Sequence, residues 1–386
     1  MSRLYLDHNA STPVRPEAIE AMTPYFAEHY GNASSAHAFG QEAKGALEDA
    51  RAKVAALLGA SPAEIVFTSG GTESDNMALF GAARALEAKG RHLVVSAIEH
   101  EAVLHSAEAL EREGFEVSRV APGSDGVVTP EAVARALRPD TILVSVMAAN
   151  NETGVVQPSA AIGAVCAERG VAYHVDAVQA AGKIPIDVAA WNATLLTVTA
   201  HKFYGPKGAG ALFVKRGAKP LPLFHGGEHE RGRRPGTENV PAIVGLGVAA
   251  ELAARELASE PARIAALRDR MERAILAAVP QVVAHGASAP RTCNTSHLSF
   301  VGAEGEHLIL SLDMKGIACS SGAACKAGSS RPSHVLLAMG VAPAVAQAAA
   351  RLSIGRATTE ADVERVVSTL VSVVGALRAG SPTFSA

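Results

Sequence analysis

Two patterns of hydrophobic positions alternate through the first two thirds of the chain. Short apolar runs rich in β-branched residues predict buried strands at 92–98, 115–120, 141–147, 171–175, 195–199 and 211–214. Between them, apolar residues recur three or four positions apart. That spacing predicts helices at 38–58, 74–89, 102–113, 129–138 and 160–169. A further short strand precedes Gly70-Gly71. Strand and helix in such strict alternation predict an α/β fold, with a mainly parallel sheet covered on both faces.

The two ends of the chain read differently. Residues 1–15 are extended and polar, and 16–30 have helix character. A long helical stretch, 240–279, is predicted to cross into a second, smaller α+β domain. That domain has strands at 281–284 and 296–300 and helices at 306–314, 333–339 and 343–350. An extended Arg351-Leu-Ser-Ile stretch and a final helix from about 358 follow. The expected division is a large domain over 16–255 and a small one over 256–386, with 1–15 packing on the small one.

Composition narrows the class. The chain has 386 residues, 48% of them hydrophobic and 19% charged, with a net charge of −3. This is an ordinary globular balance. Only Arg231-Gly-Arg-Arg234 forms a basic block, so direct nucleic-acid binding is not expected. The apolar runs are too short to span a bilayer, and the first 30 residues carry charges where a secretory signal needs an apolar core. The four cysteines, Cys166, Cys293, Cys319 and Cys325, form no CxxC pair. The expectation is a reduced, cytoplasmic protein with no membrane partner.

Candidate chemistry collects at one sheet edge. In parallel sheets, ligands bind beyond the carboxyl ends of the strands. His100, Asn151, Asp176 and Lys202 each follow a predicted strand. A lysine ending a buried strand is costly without a partner or a task. The Thr68-Ser-Gly-Gly-Thr72 turn opens a helix whose free N–H groups suit an anion, although no Gly-Lys-Ser/Thr follows to make a Walker loop. Taken singly, Lys202 could snorkel, Asp176 could cap a turn, His100 could cap a helix and Arg351 could be a surface residue. The His225-x-x-x-His229 spacing resembles a metal pair, but Gly226-Gly227 between them argues against the helix such a pair needs. Together, an amine, a carboxylate and an anion cradle are the parts that pyridoxal 5′-phosphate requires.

The chain resembles the pyridoxal-phosphate cysteine desulfurases of the NifS/IscS type, in the class-V aminotransferase family. The resemblance rests on Tyr5-Leu-Asp-His-Asn-Ala-Ser-Thr-Pro13, Gly31-Asn-Ala-Ser-Ser-Ala-His37, Thr68-Ser-Gly-Gly-Thr-Glu-Ser-Asp-Asn76 and Glu99-His100-Glu101. It continues through Asn150-Asn-Glu-Thr-Gly154, His174-Val-Asp-Ala-Val-Gln179, Ala200-His-Lys202, Arg234-Pro-Gly-Thr-Glu-Asn239, Ser320-Ser-Gly-Ala-Ala-Cys325 and Arg351-Leu-Ser-Ile-Gly-Arg356. It implies a fold-type I architecture with a seven-stranded sheet.

The resemblance also implies roles. Lys202 would be the Schiff-base lysine and the base that moves the Cα proton. Asp176 would face the pyridine nitrogen, Gln179 the ring hydroxyl, and His100 would stack on the ring with an acid/base role. Gly71, Thr72, Thr199 and His201 would hold the phosphate. Thr237 would reach the phosphate of a second subunit, which implies a homodimer. Asn151 and Arg351 would contact the substrate, L-cysteine. Cys325 would accept its sulfur as a persulfide and pass it to an acceptor protein, an iron–sulfur scaffold being the leading candidate, where it could share a [2Fe–2S] cluster.

Some positions depart from the usual pattern. Ala33 replaces Pro, Ala323 and Lys326 stand where Ser and a small hydroxyl residue are common, and Arg331 replaces an acidic residue before Pro332, so the Cys325 region is more basic than usual. Cys319 is an additional thiol, readable as a buried core cysteine or as a side reactant for the persulfide. Two rival readings remain open at this point: another enzyme of the same fold, such as an aminotransferase, and a scaffold without turnover.

Overall fold

The computed structural model describes residues 3–321 and 332–380. Its strands are β1 (Leu4–Tyr5), β2 (Ile65–Thr68), β3 (His92–Ser96), β4 (Glu116–Val120), β5 (Thr141–Ser145), β6 (Ala172–Asp176), β7 (Leu195–Thr199), β8 (Gly210–Val214), β9 (Val282–Ala284), β10 (Thr295–Phe300), β11 (Ile317–Ala318) and β12 (Ala349–Ser353). Among the described residues, seven strands form one sheet in the order β2-β8-β7-β6-β5-β3-β4. β8 alone runs against its neighbours β2 and β7. The pairs β7–β6, β6–β5, β5–β3 and β3–β4 are parallel.

Both faces are covered, which is why β2, β3, β5, β7 and β8 are buried at every residue and read as continuous apolar runs. On one face, Leu47, Val54 and Leu58 of helix Ala38–Leu58 pack with Ile243 and Leu246 of helix Val240–Glu256. On the other, Met77 and Leu79 of helix Gly71–Leu86 pack with Val103 and Leu110 of helix Glu101–Arg112. Helix Ala38–Leu58 starts where the His37 ring accepts from the Gly40 N–H, and it stops at Gly59, whose φ of 66° suits glycine.

A separate core joins helices Glu260–Ala278, Gly305–Met314 and Glu360–Ala379 to β10 and β12. Leu6 of the N-terminal segment is buried in this core, and β1 pairs in parallel with β11.

Four expectations shift. The stretch 240–279 is two helices, Val240–Glu256 and Glu260–Ala278, with Pro261 in the first turn of the second. Proline lacks the N–H that a continuous helix needs there. The 16–30 stretch breaks at Thr23, before Pro24, into Pro16–Met22 and Pro24–Ala27. The helix expected at 343–350 ends at Gln347, because Ala349 and Ala350 pair with Ser299 and Leu298 in the sheet. Alanine's helix propensity yields there to strand pairing. Finally, the helix expected from 74 begins at Gly71, which puts its free N–H groups at the glycines themselves.

Candidate active site

The carboxyl edge of the large sheet gathers most of the expected residues. Asp176 is the last residue of β6 and is 4% exposed. Its Oδ1 accepts the Val178 N–H at 2.9 Å. Burial raises its pKa, and the charges of His100 and Lys202 oppose that rise. His100 caps helix Glu101–Arg112, its Nδ1 accepting from the Ala102 N–H at 3.1 Å. Burial lowers its pKa, and Asp176 pulls it back up.

Lys202 ends a single turn, Ala200–Lys202, that follows β7. Its Nζ donates to the carbonyls of Asn9 at 2.7 Å and Ala10 at 2.9 Å. The same Asn9 carbonyl accepts from Gln179 Nε2 at 2.9 Å. His201 lies beside Ser11, with Nδ1 at 3.3 Å from Oγ. Burial lowers its pKa to about 4, with Lys202 and Lys207 contributing, so its ring is neutral at pH 7.

The glycine turn sits against the ends of β6 and β7. A Cβ at Gly71 would lie 3.1 Å from Val178 Cγ2, and one at Gly70, whose φ is +156°, would lie 3.7 Å from Thr199 Oγ1. Glycine is what lets the helix start approach Thr199 and Val178 this closely. Glu73 holds the turn, accepting from the Ser69 N–H at 2.8 Å and from Arg234 Nε at 2.8 Å. Thr72 is exposed on the first helical turn, where its carbonyl accepts from Asn76 Nδ2. Thr199 Oγ1 donates to the Ala209 carbonyl at 3.1 Å.

Arg351 sits at the centre of β12 and is 1% exposed. Its Nη1 donates to the Asn151 carbonyl at 2.9 Å and its Nη2 to Asp7 Oδ1 at 2.7 Å. Asn9 Nδ2 donates to the same Asn151 carbonyl at 3.1 Å. The N-terminal segment thus ties the Arg351 strand to the Lys202 turn. Thr237 stands apart. It is exposed and lines a pocket with Ser69, Gly208 and Arg234. Its segment is pinned by the buried Arg51–Glu230 pair, with two contacts of 2.7 Å.

Cys325, Ala323, Lys326 and Arg331 lie outside the described residues. The described residues on either side are anchored to the site. Ser320 pairs through its backbone with Arg351. Ser333 donates to Glu152, and His334 Nε2 lies 3.0 Å from the Glu99 carbonyl. Cys319 is pushed up to about 12 by burial, with Asp7 adding to it, so its thiol stays protonated. His229 pairs with Glu238 at 2.9 Å. Ala33 packs against the large core, consistent with a minor change from Pro.

Several groups carry no signal in the sequence that singles them out. Behind Asp176 lie two further buried carboxylates, Asp75 and Glu99, each with one oxygen lacking a hydrogen-bond partner among the described residues. Burial raises the pKa of both, Glu99 to about 8, and Asp176 adds to each shift. His174, on β6 two residues before Asp176, is bonded to Ser145 Oγ at 2.8 Å and Thr197 Oγ1 at 3.1 Å. Asp7 and Asn9 fall inside a quoted segment but carried no assigned role. The Gln179-x-x-x-Lys183 spacing could have suggested a side-chain pair.

Pyridoxal phosphate fits this donor set. The structure brings together a strand-end amine, a buried carboxylate, a glycine-opened helix start and a threonine hydroxyl at one edge.

Comparison with known proteins agrees. The aminotransferase class-V family model matches residues 4–366. A protein named cysteine desulfurase IscS from Anaeromyxobacter dehalogenans (strain 2CP-C) is 50% identical over 386 residues, 99% of this chain and 95% of that protein. One of the same name from Methanosarcina thermophila is 47% identical, over 98% of this chain and 94% of that protein. A solved structure titled NifS-like protein superposes with a TM-score of 0.91 at 38% identity, covering 97% of this chain and 99% of that one. Sequence, fold and donor set coincide: this chain belongs to the aminotransferase class-V family, among its pyridoxal-phosphate cysteine desulfurases of the IscS/NifS type.

Proposed function

We propose that this chain takes the sulfur of L-cysteine onto Cys325, releases L-alanine and hands the sulfur to an acceptor protein. The observation that carries this reading is the placement of Lys202, Asp176 and His100 at one sheet edge, with the buried Arg351 fork tied to the same site through Asn9 and Asn151.

When bound, pyridoxal phosphate supplies an aldehyde for amines and a protonated ring that accepts electron density. The chain's residues do the rest. Lys202 Nζ would attach the cofactor and then move the Cα proton of the substrate. Asp176, kept from water, would hold the ring nitrogen protonated, while His100 would stack on the ring and serve as an acid/base group. Gln179 would meet the ring hydroxyl. Gly71, Thr72, Thr199 and His201 would hold the phosphate, with the helix start favouring its charge. Arg351 and Asn151 would orient the substrate, the planar guanidinium matching a carboxylate. The Cys325 thiolate would attack the substrate sulfur. The S–S bond forms as the C–S bond breaks, and the bonding pair stays with carbon. Protonation of Cβ, with return of the proton that Lys202 would take from Cα, would complete alanine.

The finer assignments belong to the same proposal. A homodimer would let the exposed Thr237 complete the phosphate site of a second copy. The division into 16–255 and 256–386 separates the sheet that would hold the cofactor from the part bearing Cys325. An iron–sulfur scaffold is the favoured acceptor, and a transient [2Fe–2S] cluster at Cys325 would be cargo on that route. A thiol nucleophile of this kind suits a reducing, cytoplasmic compartment. Among the described residues no helix is long and apolar enough to cross a membrane.

The test is to mix purified holoenzyme with L-cysteine and a thiol reductant and to measure sulfide and alanine. Equal release of the two, lost in Cys325→Ala while the visible cofactor band remains, supports the reading. Amine exchange with keto acids and indifference to Cys325→Ala would assign the chain to aminotransferases instead. Transfer of labelled sulfur to captured proteins would identify the acceptor.

A further inference from the structure

Lys183 has no part in the chemistry above, yet it is placed as though it had a task. It follows Gly182, whose φ is +72°. A Cβ at Gly182 would lie 3.1 Å from Ala253 Cβ and 3.3 Å from Phe203 Cβ, so the backbone runs tight against the helix Val240–Glu256 and the Lys202 turn. Lys183 is half-buried against a cavity that Lys202, Tyr204 and Cys293 also line. Burial pushes its ammonium down to about 7, with the Cys293 sulfur opposing the shift and the charges of Lys202 and Arg351 adding to it. Holding an amine beside two other cations is unfavourable unless it serves something.

What it serves is Gln179. Lys183 Nζ donates to Gln179 Oε1 at 2.7 Å, and Gln179 Nε2 donates to the Asn9 carbonyl at 2.9 Å. The Asn9 carbonyl only accepts at any pH, and Lys183 only donates while it is protonated. Flipping the amide would set Nε2 against the ammonium and Oε1 against the Asn9 carbonyl, two repulsive contacts in place of two bonds. The Asn9 carbonyl therefore sets the orientation of the amide, and protonated Lys183 reinforces it from the other end. Asn9's carbonyl is also the acceptor of Lys202 Nζ, so the amide and the cofactor-holding amine share an anchor.

We propose that Lys183 is a positioning residue for the cofactor, which locks Gln179 so that its N–H₂ group, never its carbonyl, faces the ring oxygen of pyridoxal phosphate. This rests on the proposed placement of Gln179 at the ring hydroxyl. A fixed donor there helps the ring oxygen to stay negative. With that donor lost, the proton shared by the ring oxygen and the Lys202 nitrogen comes off at higher pH.

The test compares wild type, Lys183→Met, Gln179→Ala and the double variant. Folding is checked by circular dichroism of the cofactor-free proteins. Two readouts are used: the affinity of the cofactor-free protein for pyridoxal phosphate, and the pH at which the bound cofactor's visible band changes. In Lys183→Met, affinity is expected to fall about tenfold, the effect of one lost hydrogen bond to a charged group, and the spectral midpoint to move upward. Lys183→Gln, which keeps an N–H donor, should recover part of both. In the Gln179→Ala background, adding Lys183→Met should change nothing further. A wild-type midpoint in folded Lys183→Met, or additive effects in the double variant, would overturn the proposal. Wild type that binds no pyridoxal phosphate would instead overturn the functional reading beneath it. Should Lys183→Met not fold, the proposal stands or falls on Lys183→Gln: a midpoint and affinity like those of Gln179→Ala would overturn it.

Discussion

Asp7 Oδ1 lies 2.7 Å from Arg351 Nη2, joining two residues 344 positions apart. The guanidinium proposed to bind the substrate carboxylate is therefore already paired with a carboxylate of the protein itself. Arg351 is almost wholly buried, and an unpaired buried cation would be costly. Asp7 lowers that cost, at the expense of repelling an arriving carboxylate. Asp7→Asn is expected to lower the KM for L-cysteine several-fold while lowering thermal stability. A calorimetric scan alongside initial-rate kinetics checks both signs, and an unchanged KM would show that Asp7 does not compete with substrate.

Replacing Arg351 with Lys keeps the charge but removes the planar fork. KM for L-cysteine is expected to rise about tenfold or more, from loss of a bidentate pair. The visible cofactor band should be unaffected, because Arg351 is not proposed to touch the cofactor. A KM within twofold of wild type would remove Arg351 from the substrate site.

Lys202→Ala should abolish covalent attachment of the cofactor. After borohydride treatment and digestion, mass spectrometry should find the pyridoxyl mass on the Lys202 peptide in wild type and nowhere in the variant. An adduct on Lys183 in wild type would reassign the anchoring amine.

Glu99 provides a pH dependence of stability. Burial holds its folded pKa at about 8, above its ordinary value of 4.5. The folded state therefore binds a proton that the unfolded state has released between these limits. Stability from this group is full below pH 4.5, falls as pH rises to about 8, and is level beyond. Glu99→Gln mimics the protonated acid and cannot ionise. In the cofactor-free protein, urea unfolding at pH 5 and pH 8 should show a smaller loss with rising pH for the variant than for wild type. Equal losses would show that Glu99 does not titrate in this range.

The Arg51–Glu230 pair anchors the segment that carries Thr237. Arg51 also donates to the Ile65 carbonyl, and Glu230 accepts the Phe67 N–H at 2.8 Å. Glu230→Ala would strand a buried guanidinium, with an expected loss of about 3–5 kcal/mol in urea unfolding. The self-association state, read by analytical ultracentrifugation, should weaken with it if this segment joins two copies.

Much of this architecture follows from local patterns. The strands β3, β5, β7 and β8 lie close to their expected positions because each is a buried, largely apolar run, a signal contained in a few residues. His100, Asp176 and Lys202 could be placed at one edge because a parallel sheet puts every strand end on the same side. Element ends were harder to read. Ala349 and Ala350 look helical in isolation and become strand only because β10 lies alongside.

The alternating elements, the strand-end chemistry and the segments that mark the family are all legible in the chain alone, since they are properties of neighbouring residues. Packing is what brings Asp7 against Arg351, links Lys202 to Gln179 and Asn151 through Asn9, sets Lys183 against the Gln179 amide, and gathers three carboxylates in one buried space behind the site. These are relations of distance and burial. Most join residues over a hundred positions apart, and even the four-residue step from Gln179 to Lys183 takes its meaning from the Asn9 carbonyl opposite. A hydrogen bond between such groups depends on where the packed elements carry them, and no local pattern encodes that.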